Sequence, residues 1–192
     1  MRHQKKRWLA ALLTLCMLLS ILPSISLAFG KSEETWSGNR TNQTIDGGTH
    51  TITLSNLTID SPRLGKSAID ITGNADVTFI LEGNNTLSGR PNHPAIWVQS
   101  GSSVTFEGTG TLNTSAGGTT PGFGAAGIGG GYGADSDFGD ITINGGTIIA
   151  RGSGGGAGIG GGYEVGSGTV TGNVTINGGY VTAIGGSSGS TG

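Results

Sequence analysis

The densest group of reactive side chains in the sequence is Asp135-Ser136-Asp137-Phe138-Gly139-Asp140. Carboxylates at alternate positions, then a glycine and a third acid, offer the oxygen ligands that a hard cation collects; Ca²⁺ takes about six to eight in flexible geometry. Asp135, Asp137 and Asp140 are therefore candidate Ca²⁺ ligands. The run is too short for an EF-hand loop, and the matching turn one repeat later, Glu164-Val165-Gly166-Ser167-Gly168, has a single acid. A solvated acidic turn accounts for the same residues equally well.

The second group is aromatic. Trp97 lies between Ile96 and Val98, so in a strand it faces away from them, and Tyr132, Tyr163 and Tyr180 recur near the glycine clusters. Exposed rings on an elongated face can stack on sugars, while nearby Asn, Asp and Thr bind hydroxyls. These four are the candidate carbohydrate-binding residues. An internal stack of Tyr132 on Tyr163 explains that pair as well.

Signs of catalysis are sparse. His50 and His93 are isolated and share no metal-ligand spacing with carboxylates. Asp70, Asp76, Glu82 and Glu107 show no burial pattern that would raise a pKa, as a glycosidase acid needs. The segment Gly158-Ile159-Gly160-Gly161-Gly162 lacks the lysine and the strand-to-helix setting of a nucleotide loop. No catalytic residue is assigned, and no nucleotide partner is expected.

Internal repetition shows what positions these groups. Residues 125–132 return at 156–163, and Ile141-Thr142-Ile143-Asn144-Gly145-Gly146 returns as Val174-Thr175-Ile176-Asn177-Gly178-Gly179. Upstream, 68–71 and 77–79 match 95–98 and 104–106, and Asn85-Thr86-Leu87 is aligned with Gly110-Thr111-Leu112. Each unit has period-two alternation over a few residues, as in Val104 and Phe106 or Ile141 and Ile143, so one side of every strand is buried. Strands this short close a core only by stacking. Asn-Gly-Gly supplies residues that tolerate positive φ at turns. The expected fold is all-β, a right-handed single-stranded parallel β-helix, or solenoid, of five or so irregular coils. Thr51, Thr142 and Thr175 fall on an outward face, in rows expected to be broken by the changes of spacing.

At the N-terminus, Arg2, Lys5, Lys6 and Arg7 precede an apolar run over residues 9–22, Pro23, and Ser26-Leu27-Ala28, the pattern of a cleaved signal peptide. The expected division is 1–28 signal peptide, 29–44 N-terminal extension or cap holding Trp36, 45–186 repeat domain and 187–192 flexible Gly/Ser tail. Cleavage removes the single cysteine, Cys16, and leaves all twelve acids against six bases, a net charge of −6. That balance gives no footprint for nucleic acid. All 40 glycines also lie after residue 28, and they are never at a strict period of three, which excludes collagen.

The blocks Gly-Ala-Gly-Ile-Gly-Gly-Gly at 156–162 and Ile-Thr-Ile-Asn-Gly-Gly-Thr at 141–147, with 80–87 upstream, resemble the pectate-lyase-like β-helix domains of bacterial extracellular proteins, often labelled carbohydrate-binding and found in Firmicutes surface proteins. The likeness spans about residues 45 to 186. It implies a secreted or cell-surface protein that binds an acidic polysaccharide or cell-surface glycan without catalysis, with Ca²⁺ at Asp135, Asp137 and Asp140. A structural or adhesive module making end-to-end protein contacts is the alternative, and a polysaccharide lyase or hydrolase comes third.

Overall fold

The computed structural model describes residues 32–60, 65–118, 123–163 and 171–187. The proposed signal segment with Cys16, the turn at 164–168 and most of the Gly/Ser tail lie outside them. The described chain is all-β, with parallel pairing throughout and no α-helix. Its strands are β1 (Ser32–Arg40), β2 (Gln43–Asp46), β3 (Thr49–Asp60), β4 (Ile69–Thr72), β5 (Asp76–Glu82), β6 (Asn84–Pro91), β7 (Ile96–Val98), β8 (Ser103–Gly108), β9 (Thr111–Gly117), β10 (Ile128–Gly129), β11 (Asp140–Ile143), β12 (Thr147–Arg151), β13 (Ile159–Gly160), β14 (Val174–Ile176) and β15 (Tyr180–Ile184).

The strands group in threes. Strand β4 pairs with β7, β5 with β8 and β6 with β9, and the next triplets continue the same rule. One sheet runs β13-β10-β7-β4-β2; the other is curled and runs β14-β11-β8-β5-β3-β6-β9-β12-β15. Both triplet series meet on the long strand β3, which pairs with β5 through its first half and with β6 through its second.

Alternation puts one apolar ladder inside each strand series. Ile52, Phe79, Phe106 and Ile143 are successive rungs, all 2 % exposed or less, and the rings of Phe79 and Phe106 lie 5.8 Å apart. Thr78 and Thr105, between inward neighbours, face out. β-branched outward residues suit a half-buried pleat. Within residues 29–44, β1 lies parallel along β3 and buries Trp36, whose ring is 6.4 Å from that of Phe79, with the Arg40 guanidinium 5.6 Å over it.

One register differs from expectation. Asn85 pairs with Leu112, and Thr86 with Asn113, two residues away from the expected alignment with Gly110-Thr111-Leu112. The shift of two preserves which side chains face inward, so the sequence pattern alone did not separate the two registers. It brings Asn85, fully buried, to the bend between β5 and β6. There its Oδ1 accepts from Leu57 N–H at 2.9 Å, and its Nδ2 donates to the carbonyls of Glu82 and Thr111 at 3.0 and 3.1 Å. One carboxamide thus satisfies backbone groups of three successive triplets.

Turn chemistry is narrower than expected. In the two Asn-Gly-Gly turns only the second glycine has positive φ, +80° at Gly146 and +81° at Gly179. At the other end, β14 and β15 pair on one side only among the described residues. Val174 and Ile176 are 41 % and 55 % exposed where their rung partners Ile141 and Ile143 are buried.

Replacing Asn85 with Leu strands a buried N–H and two carbonyls, each unpaired group costing about 1–3 kcal/mol. The variant is expected to lose about 3 kcal/mol in urea denaturation followed by circular dichroism. An unchanged midpoint would contradict the role given to this side chain.

Candidate functional site

The outward positions of the five-stranded sheet form a row in register: Thr44, Asp70, Trp97, Gly129 and Gly160. Ile69 and Ile71 flank Asp70 and are fully buried, as are Ile96 and Val98 beside Trp97, so both functional side chains point away from the core. Trp97 is half-buried. Asp70 is only 4 % exposed, which corrects the expectation that no acid is buried.

Lys66 stands at the edge of this pocket of charge, with its Nζ 4.0 Å from Asp70 Oδ2. Burial pushes the Asp70 carboxyl above the usual carboxylate range, opposed by the adjacent Ser67 and by the charges of Lys66 and His93. Burial also lowers the pKa of His93, while Asp70 and Asp135 favour its charged form and Lys66 opposes it. His93, read as isolated in the sequence, therefore lies in the field of two carboxylates. The available signal was the Lys66–Asp70 spacing and the alignment of Asp70 with Trp97; nothing in the local sequence announced His93.

In the connections next to this sheet three aromatic residues form a row. Phe123 and Tyr132 have ring centroids 5.1 Å apart, and Tyr132 and Tyr163 are 6.3 Å apart with planes 4° from parallel. Backbone bonds fix the row: Tyr132 N–H donates to Asn92 O, Gly133 N–H to Tyr163 O and Tyr163 N–H to Gly124 O. The bond to Asn92 ties it to the segment that carries His93 and leads into Trp97. Gly129 explains part of the glycine cluster. Its φ is +129°, and a Cβ there would collide with the carbonyl of Gly160 on the next strand. Tyr180 stands apart, 81 % exposed on β15 and paired with Thr147 in the other sheet.

The three candidate calcium ligands point to different tasks. Asp135 ends a single 3₁₀ turn, Gly133–Asp135, and its charge acts on His93. Asp137 Oδ1 accepts from Thr171 N–H at 2.7 Å, and Asp140 Oδ1 accepts from Asn173 Nδ2 at 2.9 Å. Between them Phe138 is buried. Asp137 and Asp140 thus hold the following triplet in place through one oxygen each. Among the described residues no three acids, histidines or cysteines gather into a metal-binding group.

Comparison with protein-family models, curated proteins and solved structures finds no match to this chain.

The two titrating groups have opposite effects on stability. With its pKa raised in the folded state, ionised Asp70 costs stability above that pKa, and the cost is relieved as pH falls toward the ordinary 3.8. With its pKa lowered, His93 withdraws stability as pH falls below 6.5, where the unfolded chain gains a proton first. Asp70→Asn is expected to be more stable than the parent at pH 7, with the gap closing toward pH 4 in urea titrations. A variant less stable at pH 7 would mean that the contacts to Lys66 and Ser67 outweigh burial.

Proposed function

We propose that this protein is an exported, non-catalytic carbohydrate-binding module built on a right-handed parallel β-helix. From β4 onward each strand pairs with the one three places later, which supports a single chain winding through successive coils. Parallel crossovers within a sheet are right-handed in the great majority of cases, which supports the hand. The observation that carries the functional reading is the outward side of the five-stranded sheet. There a half-buried Trp97 stands one rung from Asp70, with Lys66 4.0 Å from that carboxylate and His93 in its field, and the row of rings from Phe123 to Tyr163 is tied by the Tyr132–Asn92 bond to the segment that carries His93. Flat aromatic surface beside hydrogen-bonding groups is the chemistry that holds sugar rings. Tyr180 would add a separate contact on the other sheet.

The resemblance to pectate-lyase-like domains agrees with this reading and with secretion or display at the cell surface. The resemblance also implies calcium at Asp135, Asp137 and Asp140, which do not gather into one group among the described residues; Oδ2 of Asp137 and of Asp140 would be the oxygens left for a cation, since their Oδ1 atoms accept from Thr171 and Asn173. The exposed Val174, Ile176 and Ile184 favour a second reading, a structural module that joins another protein end to end.

A glycan array probed with the mature domain is expected to show polysaccharide binding that Trp97→Ala weakens by about tenfold or more, with the fold retained by circular dichroism. Unchanged binding would remove Trp97 from the site. Millimolar Ca²⁺ is expected to raise the melting temperature of the parent and not of Asp137→Asn/Asp140→Asn. No shift in the parent would remove calcium from the account.

A further inference from the structure

The outward side of β3, β5, β8, β11 and β14 carries an arrangement that the aromatic site does not explain. Thr51, Thr78, Thr105, Thr142 and Thr175 are consecutive rungs. The row expected to be broken is continuous, because the extra residues of the later repeats fall in the turns. Successive hydroxyls therefore recur at the strand spacing of about 4.8 Å.

The flanking columns are polar apart from Ile80 and are tied together. On one side, Ser103 Oγ donates to Asp76 Oδ1 at 2.7 Å and Asn173 Nδ2 donates to Asp140 Oδ1 at 2.9 Å. On the other, Asn144 Nδ2 donates to Glu107 Oε1 at 3.4 Å, and Asn177 Nδ2 to Asn144 Oδ1 at 3.0 Å. These bonds occupy the flanks and pre-order them. No threonine of the central column takes a hydrogen bond through its hydroxyl among the described residues.

An independent feature marks the same face. Thr51 is 6 % exposed and its Oγ1 is buried without a partner, in the wall of a depression of about 220 Å³ shared with Glu34, Thr35, Thr53 and Ile80. A buried hydroxyl without a partner costs free energy until a ligand or water supplies one. Ser102 Oγ, likewise buried and unpartnered, lines a second depression of about 280 Å³ with Ser103, Asp140 and Asn173, near the other end of the face.

We infer that this threonine face is a second binding surface, separate from Trp97, for an extended neutral polysaccharide lying along the stacking direction. Each hydroxyl both donates and accepts, so the matching ligand presents a donor and an acceptor about once per rung. A flat 1→4-linked chain of neutral sugars does this, because its residues advance by close to one rung each. The charge of the face selects against acidic polymers. Asp76, Glu107 and Asp140 stand in the flanking columns, with no lysine or arginine in any of the three, and like charges across an interface are repulsive.

The test is calorimetric titration of the mature domain with cellohexaose and chitohexaose as neutral probes and an oligogalacturonate as the acidic one. The neutral probes are expected to bind the parent and Trp97→Ala equally, and at least about tenfold more weakly the triple variant Thr78→Val/Thr105→Val/Thr142→Val. Valine keeps the β-branched shape the strand prefers, and circular dichroism checks its fold. Should the triple variant not fold, Thr105→Val alone is expected to weaken binding and Thr105→Ser to retain it. Neutral probes that do not bind the parent, or bind the valine variants as well as the parent, would overturn the inference. So would loss of neutral-probe binding in Trp97→Ala, which would assign these ligands to the aromatic site instead.

Discussion

The vertical backbone ladder between successive triplets is the interaction on which the rest depends. Most strands here span only two to nine residues, and an isolated strand of that length buries too little to hold itself. Stacked in register, the same strands place Ile52 on Phe79, Phe79 on Phe106 and Phe106 on Ile143. The ladder bonds fix the height of each rung, and the apolar column pays for ordering them. A protein held this way takes its stability from neighbour contacts, much as repeat proteins do.

That constraint also divides labour between strands and turns. Within the strands most inward positions repeat their type from rung to rung, so Val77, Val104, Ile141 and Val174 form one column, and Thr78, Thr105, Thr142 and Thr175 form the outward one beside it. Changes in repeat length are confined to the connections, where Asp135, Asp137, Tyr132 and His93 lie. Side chains with unusual chemistry are concentrated there or on the outward side of the five-stranded sheet. The two outward surfaces differ accordingly: one carries Trp97 beside a buried acid, the other is a regular hydroxyl array edged by carboxylates.

Much of this was legible in the sequence where period-two alternation and repetition coincide. The pairing of Ile141 with Val174, of Asp70 with Trp97 and of Thr147 with Tyr180 follows from aligning the repeats. The stack of Tyr132 on Tyr163 was one of two readings of that pair. Legibility failed where a residue acts through the third dimension. Asn85 was misaligned by two because a shift of two leaves alternation intact. Asp70 and His93 gave no local sign of burial, since what covers them comes from separate connections. The threonine row looks broken in the sequence because its spacing counts turn residues that the strand register skips.

The central claim is the stacking order itself, and the most direct measurement is a distance between residues far apart in sequence and three rungs apart in the ladder. Thr86, Asn113, Ile149 and Thr182 are successive partners on strands that carry neither Trp97 nor the threonine column. Spin labels at Thr86→Cys and Thr182→Cys, in a chain without Cys16, are predicted to show dipolar broadening for a separation of about 14 Å, three strand spacings. A separation beyond about 25 Å, more than five such spacings, would contradict the parallel, in-register stack.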